Sequence, residues 1–268
     1  MSLLDSQALY DQYAFQNALP IPDVIDTSKR KVITLQVQQF DQFLGLYDAN
    51  SLPLDTTVSG YGTGQNASYP GPTILAYEDQ TVTVHWQNKL PVDGHLLPVD
   101  TTLDLADPVR RPLAEGFTPI VTHLHGGHND SQDDGLPEQW FTQSRSGPGG
   151  TGPREVGPDF VTSTMTYEND QHAATLWYHD HVLGMTRLNV YAGLAGFYLL
   201  QDQTRLDLVN TGVLPGSSYD FGMAIQDRAF TSDGQLYYPA FRDDPLPGTT
   251  DTVGDVVPQA FYDANGEG

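Results

Sequence analysis

Hydrophobic and polar residues alternate with a period of two along much of this chain. The run KVITLQVQQF at 31–40 sets Ile33, Leu35 and Val37 on one face and Val32, Thr34 and Gln36 on the other, the pattern of a half-buried strand. TILAYEDQTVTVHWQNKL at 73–90 gives two β-rich runs broken at Glu78-Asp79-Gln80. In the second run Val82, Val84 and Trp86 share one face, and Thr81, Thr83 and His85 share the other. Strands are also predicted over 117–125 (FTPIVTHLH), 160–168 (FVTSTMTYE), 174–181 (ATLWYHDH) and 193–202 (GLAGFYLLQD). The stretch QSRSGPGGTGPREVGPD between the two histidine-bearing strands reads as loop.

Short strands, Gly and Pro turns and the lack of a strong helical period predict an all-β antiparallel sandwich or barrel rather than a βαβ fold. Residues 1–29 read as an N-terminal extension. A short amphipathic piece (Leu3, Leu4, Leu9, Tyr13) precedes LPIPDVID, whose prolines favour extended chain laid on a neighbouring surface. Residues 30–203 read as one complete domain. After Asp202 the pattern restarts, with SSYDFGMAIQDRAF predicted as a strand and TSDGQLYYP as a turn leading into another. The acidic, turn-rich tail then closes nothing, and roughly 65 residues fall short of a complete sandwich of about 100. Residues 204–268 are therefore expected to open a second, incomplete domain.

Composition narrows the function. The 268 residues carry a formal net charge of -22, with three lysines (Lys29, Lys31, Lys89), so binding along a nucleic-acid backbone is not expected. The acidity fits either solubility and life in high salt or attraction of cationic substrates such as metal ions and aromatic amines. There is no cysteine, which excludes disulfides and thiolate ligands within the chain. The N-terminus lacks the basic segment and apolar run of a secretory signal, and no stretch approaches a membrane span, so a soluble chain is expected.

The distinctive chemistry lies in THLHGGHND (122–130) and LWYHDHVLG (176–184). Residues i and i+2 of a strand point the same way, so each His-x-His aims two imidazoles at one place. If the two strands are neighbours, His123, His125, His179 and His181 can face one cavity. One such pair alone is commonly a surface or chance feature. Two pairs, flanked by Leu124, Trp177, Tyr178 and Val182, point to metal, because burying four unpaired imidazoles is costly. Imidazole suits zinc, copper, iron and nickel alike.

At these residues the chain resembles a known family. THLHGGHNDSQDDGLPEQWF and TLWYHDHVLGMTRLNVYAGLAGFYLLQD are similar to the first two copper motifs of the multicopper oxidases, in the branch of bacterial spore-coat laccases and bilirubin oxidases. YPGPTILAYEDQTVTVHWQNKLP resembles the opening of that family's first domain and IQDRAFTSDGQLYYP that of its second, so the similarity runs over most of Tyr69 to Pro239. The resemblance implies a cupredoxin-like Greek-key β-sandwich or barrel and a laccase-type enzyme. Such enzymes couple one-electron oxidation of phenols, aromatic amines or metal ions to four-electron reduction of O2 to water.

The same resemblance implies copper as cofactor, with His123 a ligand of the type 2 ion and His125, His179 and His181 ligands of the type 3 pair. Asp134, in DDGLPEQW, falls where the family has an acidic residue near the trinuclear cluster, implicated in proton delivery; otherwise it is an ordinary turn aspartate before Gly135. Asp133 is its nearest rival for that place. His128 has no counterpart and is expected to face solvent or stand behind the ligands, while His85, His95 and His172 are expected to be surface or strand histidines. The family's His-x-x-His-x-His and His-Cys-His motifs are missing, so the type 1 copper and the remaining ligands are expected on a C-terminal polypeptide. Two other readings stay open. One is a non-catalytic cupredoxin-like module that binds copper or partners; the other is a zinc hydrolase, which the motifs disfavour for want of a general base.

Overall fold

The computed structural model describes residues 17–100, 113–143, 155–239, 250 and 252. The amphipathic piece at Leu3 to Tyr13 and most of the Gly-rich loop after Gln143 lie outside them. The chain divides into two compact units, one of residues 21–42 and 57–226, the other of residues 1–20, 43–56 and 227–268.

Most of the strands are those the alternation predicts. They are β1 (Val24–Asp26), β2 (Val32–Tyr47), β3 (Pro53–Thr63), β4 (Asn66–Ser68), β5 (Gly71–Tyr77), β6 (Val82–Asn88), β7 (Thr122–His125), β8 (Thr164–Tyr167), β9 (Ala174–Asp180) and β10 (Ala195–Gln201). They form two five-stranded sheets, in the orders β1-β5-β10-β9-β7 and β4-β3-β2-β6-β8. The sheets face each other across a core that includes Leu35, Val37, Tyr61, Ile74, Val84, Trp86, Leu124, Tyr178 and Tyr198. Alternation accounts for this directly: β6 reads buried at Val82, Val84 and Trp86 and half-buried between them.

Three aromatic rings join the layers. Tyr61 of β3 and Trp86 of β6 lie 5.4 Å apart, and Tyr178 of β9, on the other sheet, lies 5.0 Å from Tyr61 and 5.6 Å from Trp86. The Tyr178 hydroxyl donates to the Pro72 carbonyl at 2.6 Å, which satisfies its one buried polar atom. Across the ladder Gly196 stands opposite Tyr178, and a Cβ there would run into the phenol ring.

Four expectations change. The sandwich is mixed rather than antiparallel, because β5 pairs parallel with both β1 and β10, and β2 pairs parallel with β6. The supposed extension contributes an edge strand, since Val24–Asp26 joins β5 in register with Thr73, Ile74 and Leu75. β3 escapes the alternation rule because it buries small and polar residues (Thr56, Ser59, Gly60, Gly62) as well as Val58 and Tyr61. Two short helices, α1 (Thr186–Ala192) and α2 (Gln203–Asn210), interrupt the β pattern; α1 buries Leu188, Asn189 and Ala192, whereas α2 buries no side chain at all.

The strand predicted over SSYDFGMAIQDRAF is corrected. A turn of 3-10 helix at Ser217–Tyr219 is followed by irregular chain, and only Ala229–Phe230 forms a strand, β11. Phe221, Met223 and Ile225 alternate as strand residues do, yet all three are exposed, and among the described residues no strand pairs with them. The turn in TSDGQLYYP is present: β11 pairs antiparallel with β12 (Leu236–Tyr237) around Thr231 to Gly234. Within that unit Thr56 Oγ1 donates to the Gly234 carbonyl at 2.6 Å and Gln235 Nε2 to the Asp55 carbonyl at 3.0 Å.

Tyr178→Phe removes the buried hydrogen bond to the Pro72 carbonyl while keeping the ring, and should cost about 0.5–1.5 kcal/mol in urea unfolding. An unchanged midpoint would mean that this hydrogen bond contributes nothing to the core.

Candidate metal centre

The antiparallel pairing of β7 with β9 sets the site. Thr122 stands opposite Asp180, His123 opposite His179, Leu124 opposite Tyr178 and His125 opposite Trp177. Alternation then sorts the two strands into two faces. Thr122, Leu124, Tyr178 and Asp180 are buried. On the other face stand His123, His125, Trp177 and His179, and the pairing continues past β9 through the His181 N–H, which donates to the Val121 carbonyl at 2.9 Å.

All four sequence-predicted histidines come together there. Ring centroids lie 5.6 Å apart for His123 and His125, 5.6 Å for His123 and His179, 5.4 Å for His125 and His179, and 5.7 Å for His179 and His181. His181 stacks on His123 at 4.7 Å. One ring nitrogen from each of His123, His125 and His179 falls within a common 4.8 Å.

Backbone carbonyls fix how three of the rings are turned. Nδ1 of His123 lies 2.6 Å from the Asp134 carbonyl, Nδ1 of His179 lies 2.6 Å from the Asp180 carbonyl, and Nδ1 of His181 lies 3.1 Å from the Gly135 carbonyl. A carbonyl only accepts, so each Nδ1 carries the proton and each Nε2 keeps its lone pair free, the tautomer a metal requires. His125 is turned the other way, with Nδ1 3.1 Å from Nε2 of His179. Since that Nε2 carries no proton, Nδ1–H of His125 donates to it, and a cation between the two would take the place of that hydrogen.

Burial favours the same charge state. It holds the His179 imidazole down to about 4, with the three neighbouring histidines adding to the depression and the Asp180 carbonyl opposing it. His181 is also held below the usual histidine range, first by burial. Trp177 covers the edge of the cluster, stacked on His179 at 4.1 Å and on His125 at 5.3 Å.

The DDG turn separates its two aspartates. Asp133 is buried and points away, accepting the Thr166 N–H at 2.7 Å. Asp134 stands at the cluster, with Oδ1 3.4 Å from Nδ1 of His123 and 3.4 Å from Asn129 Nδ2. Gly135, at φ +70, lies so close to the Thr122 carbonyl that a Cβ could not fit.

Other histidines divide as their surroundings dictate. His128 is exposed beside Asp170, and His85 is a strand histidine bonded to Thr164 Oγ1 at 2.7 Å. His172 lies in the loop before β9, close to Glu78 and Asp202. His95 departs from its expected surface role. Its Nε2 meets Asn189 Oδ1 at 2.9 Å and its Nδ1 meets Leu97, while burial lowers its affinity for a proton.

Asn189 opens a network that motif reading missed. From α1 its amide donates to the Pro119 carbonyl and, at 2.8 Å, to Oδ1 of Asp180. Asp180 also accepts from the Val121 N–H at 3.1 Å and the Val182 N–H at 3.1 Å. One buried carboxylate thereby ties the start of β7 to the turn after β9, beside His123 and His181. Burial still pushes its carboxyl up to about 7 against these donors. The signal was available: alternation puts the middle residue of His-Asp-His on the core face, where a carboxylate must find donors.

No family model matches the chain. It is 40% identical to a laccase of Bacillus stratosphericus over 228 residues, covering 84% of this chain and 40% of that protein. It is 37% identical to a laccase of Bacillus subtilis (strain 168) over 236 residues, 87% of this chain and 41% of that one. The chain belongs to the multicopper oxidase family. It spans about two fifths of the length of these curated relatives. A multi-copper oxidase from Pediococcus acidilactici, 22% identical, shares the fold with a TM-score of 0.56 over 87% of this chain and 39% of that one. The two-sheet sandwich is thus cupredoxin-like, as the sequence implied.

Membership in the multicopper oxidases implies copper, and the donor set fits it. Neutral imidazoles with free lone pairs suit a borderline transition metal. His179 gives the fit a test in the metal-free chain. Its folded-state proton affinity lies below the ordinary histidine value of 6.5, so between about 6.5 and 4 the unfolded chain binds the extra proton and stability falls as pH drops. Asp180 acts with the opposite sign, since its raised carboxyl favours the folded state at low pH and that contribution is lost as pH rises towards 7. Urea unfolding in chelator should therefore show His179→Gln losing less stability than the parent between pH 6.5 and 4.5. Equal losses would mean that His179 is not held neutral by the fold.

Proposed function

We propose that this chain is the N-terminal part of a laccase-type multicopper oxidase and supplies half of the cradle for its trinuclear copper cluster. The observation that carries this reading is the pairing of β7 with β9, which delivers two His-x-His motifs to one face with their donor atoms converged. On this reading His123 is a ligand of the type 2 copper, and His125, His179 and His181 are ligands of the type 3 pair. Residues 1–29 are an N-terminal extension that lends its strand Val24–Asp26 to the first cupredoxin-like domain, residues 30–203, and residues 204–268 begin a second. The type 1 copper and the other cluster ligands come from a C-terminal polypeptide, because a blue site needs a cysteine and these 268 residues have none.

Bound copper supplies one-electron chemistry and the place where O2 is reduced, four electrons and four protons giving two waters. The chain's own residues orient and protect. The Asp134, Asp180 and Gly135 carbonyls hold three imidazoles with Nε2 forward. Trp177 stacks on the His125 and His179 rings and helps to cover the buried His179. Asp134, beside His123, is placed to hold a proton and pass it into the cluster. Reducing substrates are phenols, aromatic amines or metal ions; the formal net charge of -22 fits attraction of cationic ones and fits solubility in high salt equally well.

The test uses the assembly completed by the C-terminal polypeptide. His125→Ala or His179→Ala should abolish O2 consumption and lower the copper content while the blue absorption of the type 1 ion remains. Turnover retained in either variant would overturn the ligand assignment. Copper bound without O2 reduction in the completed parent would favour a non-catalytic copper-binding module instead.

A further inference from the structure

Away from the four histidines, three potential ligands from three segments converge on one spot. Glu78 begins the turn after β5, where its N–H donates to the Gln201 carbonyl at 2.7 Å. His172 lies in the loop between β8 and β9, and Asp202 follows β10 and caps α2. Nδ1 of His172 stands 3.1 Å from Oε1 of Glu78 and 4.0 Å from Oδ2 of Asp202, and one donor atom from each residue lies within 4.8 Å of the others.

We infer that Glu78, His172 and Asp202 form a second metal site, one for a first-row divalent cation such as zinc. A cation about 2.1 Å from each ligand sets neighbouring donors roughly 3.0–3.5 Å apart, so the 3.1 Å between His172 and Glu78 already fits, while Asp202, 4.0 Å from His172, must close in by at least half an ångström, a movement open to the exposed His172 side chain. The donor set of one imidazole and two carboxylates selects zinc, cobalt, nickel or copper over calcium and magnesium, which prefer all-oxygen shells. Solvent supplies the remaining positions, since the His172 side chain is 93% exposed.

Asp202 is built for the role. Its side chain is only 10% exposed. Oδ1 accepts the Arg205 N–H at 2.7 Å and Oδ2 accepts the Ala173 N–H at 3.1 Å, which aims the carboxylate while leaving Oδ2 a lone pair for the cation. These bonds hold its carboxyl below the ordinary range, so it stays ionised. The rival arrangement is a protonated His172 paired with the two carboxylates and no metal. The site is independent of the copper reading. His172 precedes β9 and His179 lies near its far end; Ala174 and His179 alone are about 17 Å apart at strand rise.

Zinc binding to the full 268-residue chain, purified free of copper, tests this by calorimetry and by anomalous diffraction at the zinc edge. The parent should show a zinc peak among Glu78, His172 and Asp202. His172→Ala and Glu78→Gln should each remove that peak, weaken the corresponding binding event at least tenfold, and leave any zinc at His123, His125 and His179 in place. Zinc at the histidine cluster alone, or the same binding in both variants, would overturn the inference. So would a loss of thermal stability in His172→Ala that is equal with chelator and with zinc, because an ion pair without metal predicts it.

Discussion

The metal centre depends on a single alignment, the antiparallel pairing that sets His123 opposite His179. With a side-chain period of two, a slip of one residue would exchange the faces of one strand and drive its imidazoles into the core. The register is held from the side that carries no ligand. Tyr61 meets Thr122 at 3.1 Å, Tyr178 lies in the ring contact between the sheets, and Asp180 gathers backbone N–H groups from beyond both strand ends. Slippage would break these contacts together, so the packing of the hydrophobic layer specifies the geometry of the polar one.

The two faces also divide the energetics. Aromatic burial and satisfied hydrogen bonds stabilise the core side, whereas the histidine side gathers groups that repel one another once protonated. Asp180 illustrates the compromise. A carboxylate taken out of water is costly on its own, and its donors offset that cost while fixing the distance between two loops. The network reaches outward through Asn189 to His95, so a residue far from both motifs in sequence shares in the support of the site.

Much of this was legible in the sequence. Period-two alternation located most of the strands, and His-x-His on neighbouring strands required the imidazoles to share a face. Strand direction was not legible, because parallel and antiparallel neighbours such as β2 with β6 and β6 with β8 bury the same alternating residues. β3 was missed because close packing there rests on Gly60 and Gly62, which alternation does not count. The run from Phe221 to Ile225 failed in the opposite sense: it has the strand pattern without a paired neighbour, and pairing is a property of two segments. At the site, ring orientation lay beyond reach, since it is set by the carbonyls of Asp134 and Gly135, and every residue type has a carbonyl.

Those carbonyls give the turn at Asp133 to Gly135 a leverage its size conceals. One turn grips two rings, His123 and His181, by their Nδ1 atoms, while Asp133 bolts the turn's other side to β8 through Thr166. Rotating a peptide plane there would swivel a ligand without altering any ligand residue. Adjustments of the centre during evolution or design can therefore be made in loop geometry, with all four histidines left untouched.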